Sequence, residues 1–153
     1  MDQFEKLREW VGKTETRTDT VAAWPVMALA ATLDRNDPEP LAGDELPPAW
    51  HWLYFLDVKP ASELGPDGHP KRGGFLPPVP LPRRMWAGGR IEFLQPLRIG
   101  DAIRRDSEIL SVEPKHGRSG SLVFVTVARH QHRRQGCNTR RTRYRLSRRR
   151  QAQ

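Results

Sequence analysis

The sequence predicts an α+β domain in which an apolar helix comes first and antiparallel strands follow. Three observations carry this. Val26, Leu29, Ala30 and Leu33 fall at positions i, i+3, i+4 and i+7, the spacing of one helix face. Residues 86–97 and 101–113 alternate in polarity, as half-buried strands do. Residues 121–128, SLVFVTVA, are apolar at successive positions. A helix followed by a run of strands implies α+β rather than alternating α/β.

Phe4, Leu7 and Val11 predict a short amphipathic helix over 2–11, stopped by Gly12. Residues 14–20 are polar with alternating charge and read as a linker or an edge segment. In the second helix Pro25 occupies the first turn, where a missing N–H costs nothing. Its alanine-rich face can approach a sheet closely, so it is expected to be the one long buried helix. Residues 34–48 form a loop rich in Asp, Pro and Gly, and the aromatic stretch 50–56 is a short strand or a wedge over the core. Residues 60–82 read as loop with a turn at Asp67-Gly68, and loops of that length are commonly functional or disordered.

The strand over 86–97 places Ile91, Phe93 and Gln95 on one face and Arg90, Glu92 and Leu94 on the other. Over 101–113, Ile103 and Ile109 share a face and Leu110 and Val112 take the other, an imperfect alternation. Apolar residues on both faces of 121–128 predict a central strand buried twice. Turns fall at Gly100-Asp101 and at 116–120.

The chain has 153 residues, enough for one domain with a core. Its charge is uneven. Residues 129–153 hold ten arginines and no acid, leaving 16 basic and 18 acidic residues in 1–128. The basic balance therefore belongs to the tail, and overall pI is no argument for nucleic-acid binding by the body. The one cysteine, Cys137, excludes an intrachain disulfide or a cysteine metal cluster. The mixed-charge start MDQFEKLREW lacks an apolar secretory core, and no apolar run is long enough to span a bilayer. The reading is of a soluble, cytoplasmic protein.

Common catalytic motifs fail. Gly12-Lys13-Thr14 suggests a phosphate loop, but Leu7 stands where its first glycine is required. There is no dinucleotide fingerprint, His-Glu-x-x-His pair or nucleophile elbow. His51, between Trp50 and Trp52, reads either as a proton donor or as a histidine bonded within an aromatic cluster. His69 reads as a turn residue.

The densest signal is LPPAWHWLYF at 46–55 followed by RGGFLPPVPLPRRMWAGG at 72–89, a rigid irregular element stiffened by Pro77, Pro78, Pro80 and Pro82. Arg83 and Arg84, beside that loop, suit phosphate groups, and Gly88 and Gly89 allow close approach of a ligand near Trp86. The competing reading is a solvated arginine pair beside a strand bulge at Gly88-Gly89.

These segments resemble the N-terminal half of the MaoC-like double hot-dog hydratases and dehydratases of acyl thioesters, a family that includes the hydroxyacyl-thioester dehydratases type 2 and the mesaconyl-CoA hydratases. The resemblance covers residues 8–129. It implies a hot-dog fold, a long helix wrapped by a curved antiparallel sheet incomplete at its C-terminus, over a domain at 1–130. It implies reversible water addition to an enoyl-CoA or enoyl-ACP, with no cofactor, and pairing with a second hot-dog domain or a dimer partner. The family motif, approximately Asp-x-Asn-Pro-x-His, is broken here: Asp34, Asn36 and Pro38 remain, with one residue inserted, and Pro40 stands in place of the histidine. A proline cannot transfer a proton, so the resemblance assigns no catalytic residue. It leaves Arg83, Arg84, Trp86, Gly88 and Gly89 as substrate-binding candidates in a pocket-shaping half that is weak or inactive alone. A non-catalytic partner subunit is the alternative. The tail at 131–153 departs from the family pattern; it reads as disordered or as an out-of-frame stretch of GC-rich DNA. Nucleic-acid binding through its arginines, with Tyr144 stacking on a base, is the least favoured reading.

Overall fold

The computed structural model describes residues 5–117 and 120–134. The tail from 135 onward, with Cys137 and Tyr144, lies outside the described residues. A 3₁₀ turn at Glu5–Trp10 leads into strand β1 (Thr14–Thr20), helix α1 (Ala23–Thr32), 3₁₀ turns at Trp50–Leu53 and Ala61–Glu63, and the long strands β2 (Ala102–Gly117) and β3 (Gly120–Arg133). The sheet is antiparallel throughout, in the order β1-β2-β3. The α+β class stands.

Several elements differ from the sequence expectation. In place of the helix expected over 2–11, the described residues form a 3₁₀ turn at Glu5–Trp10, and only Leu7 is buried in it. Gly12 stops it with φ +82. Residues 50–56 hold a 3₁₀ wedge and no strand. Residues 86–97 do not form a strand either. Phe93 and Leu94, adjacent in sequence, are 45% and 48% exposed, so neither face is consistently buried, and Gly88, Gly89 and Pro96 are poor ladder residues. The helix is not long. It has ten residues, buries Val26 and Ala30, and leaves Trp24 and Met27 exposed, as is Leu33 just past its end. Its nearest element is the Trp50–Leu53 turn, and the described strands do not wrap it.

The helix ends where a glycine would be expected and finds Asp34 instead. Asp34 adopts φ 54, its N–H bonds to the Ala31 carbonyl, and the next N–H, of Arg35, reaches back to the Ala30 carbonyl at 2.9 Å. This is a Schellman stop with aspartate at the left-handed position. The surviving aspartate of the broken motif therefore ends a helix.

Register explains the uneven alternation of β2. Ile109 faces Val127, but Ser111 faces Thr126 and Val112 faces Val125, so a bulge at Leu110 inserts one residue. Parity flips there. Ile103, Arg105, Ser107, Ile109 and Val112 consequently share one face with Val123, Val125, Val127, Arg129 and Gln131 of β3. The sequence reading put Val112 opposite Ile109; the bulge reverses that. The apolar stretch of β3 is not buried equally on both sides, since Val123, Val125 and Val127 are buried while Leu122, Phe124 and Thr126 are half-buried. Nor is it central: β2 is the middle strand of the described sheet.

Two cores form on this sheet. One gathers Val21, Val26, Leu46, Tyr54, Phe55, Leu97, Ile99 and Ile103 at the helix end. The other joins Leu7 to Ile109, Val112, Val123, Val125 and Val127, and the proline loop covers it with Phe75, Leu76, Val79 and Leu81. Burying each aliphatic side chain of this kind contributes about 1.5–3 kcal/mol. Between the cores lies a buried polar band of Arg105, Ser107, Arg129 and Gln131.

Candidate functional site

Arg105 and Arg129 of the polar band line a groove of about 780 Å³. Its wall from 52–57 is set by anchors to β1 and α1. The Phe55 N–H donates to the Asp19 carboxylate at 2.6 Å, and the Tyr54 hydroxyl donates to the Ala22 carbonyl at 2.6 Å. Burial, with the Asp19 charge nearby, pushes the Tyr54 hydroxyl up to about 12, so it stays a donor. Phe55 is buried and takes φ 59, a costly conformation for a bulky side chain that the Asp19 bond helps hold in place. The resulting turn brings Asp57 into an ion pair with Arg17.

Arg17 also bonds Glu15 at 2.9 Å. Partial burial works against its charge, but these two carboxylates prevail and its pKa is raised. Glu15 reaches Arg105 at 3.9 Å, and the Arg105 guanidinium lies 4.9 Å over the Phe55 ring. The opposite wall is the loop that follows His69. Arg72 donates to the Val79 carbonyl and, at 3.2 Å, to the Pro82 carbonyl, folding the proline-rich segment back on itself. Prolines cannot supply backbone N–H donors there, so the guanidinium does. Lys13 ties the same loop to the end of the first turn through the Gly74 carbonyl at 2.8 Å.

Of the five residues predicted for substrate binding, the groove is lined by Arg84 and Trp86. Trp86 packs edge-on to Trp52 with centroids 5.6 Å apart. Burial lowers the Arg84 pKa, with Arg72 adding to it and Asp67 and Asp57 opposing. Arg83 and Gly89 are exposed and Gly88 is half-buried with φ +152, all three outside the lining. With no strand at 86–97, the pair Gly88-Gly89 is not a strand bulge.

The sequence reading missed Arg105 and Arg129. An arginine at 105 in the row Ile103, Arg105, Ser107, Ile109 was a legible signal, a charge on a core-facing register. Arg129 was counted with the tail, yet β3 continues through Arg133 and makes it part of the sheet.

The imidazoles are placed differently. His51 is 3% exposed and stacks near Trp52 and Phe93, with centroids 5.4 and 5.9 Å away. It faces a separate cavity of about 220 Å³, and burial lowers its pKa to about 4, keeping it neutral. His69 lines the main groove on an exposed turn and lies 3.5 Å from the Asp67 carboxylate. No group of three His, Cys, Asp or Glu among the described residues could hold a metal ion. No described helix is long and apolar enough to cross a membrane.

Comparison with known proteins adds three findings. The family model for hydroxyacyl-thioester dehydratase type 2 matches residues 49–152. The mesaconyl-C(4)-CoA hydratase of Chloroflexus aurantiacus is 52% identical over 118 residues, which are 77% of this chain and 42% of that protein; the chain thus spans less than half of that relative's length. Among solved structures, the unliganded R-hydratase PhaJ1 from Pseudomonas aeruginosa superposes with a TM-score of 0.54 at 14% identity, covering 97% of this chain and 84% of that one. The MaoC-like dehydratase from Rhodospirillum rubrum superposes at 0.48 with 19% identity, covering 93% and 91%. The likeness to the R-hydratase is one of fold, and the fold is hot-dog, here in an open form with a short helix beside the sheet. With about two thirds of its length matched by the family model, the chain belongs to the hydroxyacyl-thioester dehydratase type 2 family.

Proposed function

We propose that this chain is the pocket-shaping half of a hydratase or dehydratase of acyl thioesters, and that the groove over β1–β3 cradles the thioester. The observation that carries the reading is the groove itself. A cavity of about 780 Å³ with an aromatic wall at Trp52 and Trp86 and a cationic lining lies within a chain of this family. It suits an extended ligand with apolar and anionic parts. Arg84 and Trp86 contact that ligand.

Hydration of an enoyl thioester needs a base for water, an acid at the α-carbon and donors to the carbonyl oxygen. The groove offers weak means for this. His51 is buried in another cavity, Asp34 ends a helix, and His69 sits on an exposed turn. The proton-transfer groups are therefore supplied by a second hot-dog domain or partner chain, and either coenzyme A or an acyl carrier protein delivers the substrate.

Calorimetry with crotonyl-CoA, together with a hydration assay on the same chain, tests this. Binding without turnover is expected. Absence of binding overturns the proposal. Turnover by the unaltered chain overturns the pocket-shaping role, and its loss in His69→Ala or His51→Gln would then identify the group responsible.

A further inference from the structure

We propose that Arg72 is the positioning residue of the groove's loop wall: its guanidinium fixes the course of residues 79–86 and thereby presents Arg84 and Trp86 to the groove. The consequence for ligand binding rests on the groove being a thioester cradle; the placement of Trp86 does not.

Three observations support it. The first is what the segment lacks. Pro77, Pro78, Pro80 and Pro82 have no N–H, so the chain from 77 to 82 cannot brace itself as a strand or helical turn would. Between described residues its own backbone makes one bond, from the Val79 N–H to the Pro77 carbonyl at 2.8 Å. The carbonyls remain acceptors, and a side-chain donor is the means left to tie them together.

The second is what Arg72 does. It donates to the Val79 carbonyl and, at 3.2 Å, to the Pro82 carbonyl, reaching seven and ten residues along the chain. A guanidinium holds its donors in one plane, so two bonds from one fork set both the spacing and the direction of the segment between them. Pro82 precedes Arg84 by two residues and Trp86 by four, and its ring fixes φ. The clamped carbonyl therefore lies immediately upstream of two residues that line the groove.

The third is a division of labour along the loop. Phe75, Leu76, Val79 and Leu81 pack on the apolar core, whereas Arg84, Met85 and Trp86 line the groove. Burial of the four apolar side chains keeps the first part of the loop attached with or without Arg72. Residues 82–86 are not among the residues of that core, and Met85 and Trp86 are 49% and 48% exposed. Loss of the clamp therefore acts on the site more than on the fold.

The test reads the site and the fold separately in the full chain. Trp52 and Trp86, edge-on with centroids 5.6 Å apart, couple as an exciton pair, and their circular-dichroism band is identified by its loss in Trp86→Phe. Arg72→Ala is expected to lose this band and to weaken crotonyl-CoA binding at least about tenfold, with the urea midpoint little changed. Free guanidinium, well below denaturing concentration, restores band and affinity in that variant, which a loss of packing would not allow. Arg72→Lys, which keeps the charge without the fork, behaves like the alanine variant and carries the test if Arg72→Ala does not fold. Arg98→Gln removes another arginine bond to a carbonyl, that of Gly43, away from the groove, and leaves both readouts unchanged.

A retained band in Arg72→Ala overturns the proposal, and so does a lost band with affinity intact. Full affinity in Arg72→Lys shows that charge alone suffices and overturns it too, as does an equal loss in Arg98→Gln. If the unaltered protein does not bind crotonyl-CoA, the cradle falls, and the band by itself still decides whether Arg72 places Trp86.

Discussion

One face of the sheet is built in two ways. From Val123 to Val127, with Ile109 and Val112 opposite, it is wholly apolar and closed by the proline loop. From Arg129 to Gln131, with Arg105 and Ser107 opposite, it is buried yet polar and opens into the groove. The same two strands run through both, with a one-residue register shift at Leu110 inside the apolar half. What differs is what covers them: apolar side chains over one half, charged and aromatic walls over the other. The apolar half supplies cohesion, and the polar half sacrifices it for a site.

The sharpest way to break that contrast is to truncate the apolar half. Ile109→Ala leaves a cavity in a fully buried position and should cost about 3–4 kcal/mol in urea unfolding, with ligand affinity in the folded protein unchanged. A comparable loss of affinity would show that the halves are not separable.

His51 lies outside both halves, buried beside Trp52 and Phe93, and its pH dependence tests that burial. Its folded pKa of about 4 lies below the ordinary 6.5, so the unfolded chain takes up the proton first. Stability is then full above about pH 6.5 and falls as pH drops toward 4, by about 3 kcal/mol at most. His51→Gln should flatten that part of the urea-midpoint profile between pH 7 and 4.5. An unaltered slope would contradict a buried, neutral imidazole.

The groove wall is predicted to lose less. Asp19→Ala removes the acceptor for the Phe55 N–H and should cost about 1–3 kcal/mol while also weakening thioester binding, since Phe55 and Asp57 lose their anchor. Stability lost with affinity intact would place the wall outside the site.

The smallest effect is a gain. Asp34→Gly relieves a left-handed residue at the helix stop and should stabilise by roughly 0.5–1 kcal/mol, with no change in ligand binding. A loss of binding would return a functional role to the remnant of the family motif.

Much of the fold was readable because local signals suffice for it. Gly12, the turn at Asp67-Gly68 and the helix around Val26 and Ala30 each depend on neighbours in sequence. The proline-rich loop was readable as rigid for the same reason. The strand expected at 86–97 failed because alternation describes a strand only if another element buries one side, and Phe93 and Leu94 are both exposed. The site was half readable: Arg84 and Trp86 stood out beside the loop, whereas Arg105 was hidden in a strand and Arg129 in a run of arginines.

The amino-acid order alone determined that this chain is an α+β domain with a stiff, aromatic, arginine-flanked loop. These are properties of spacing and composition, and they require no partner. The tertiary structure alone decided that Val112 joins Ile109, that Asp34 ends a helix, and that arginines 24 positions apart line one groove. Each depends on register across strands or on a turn held by distant hydrogen bonds, and a one-residue bulge is enough to exchange the faces of a strand.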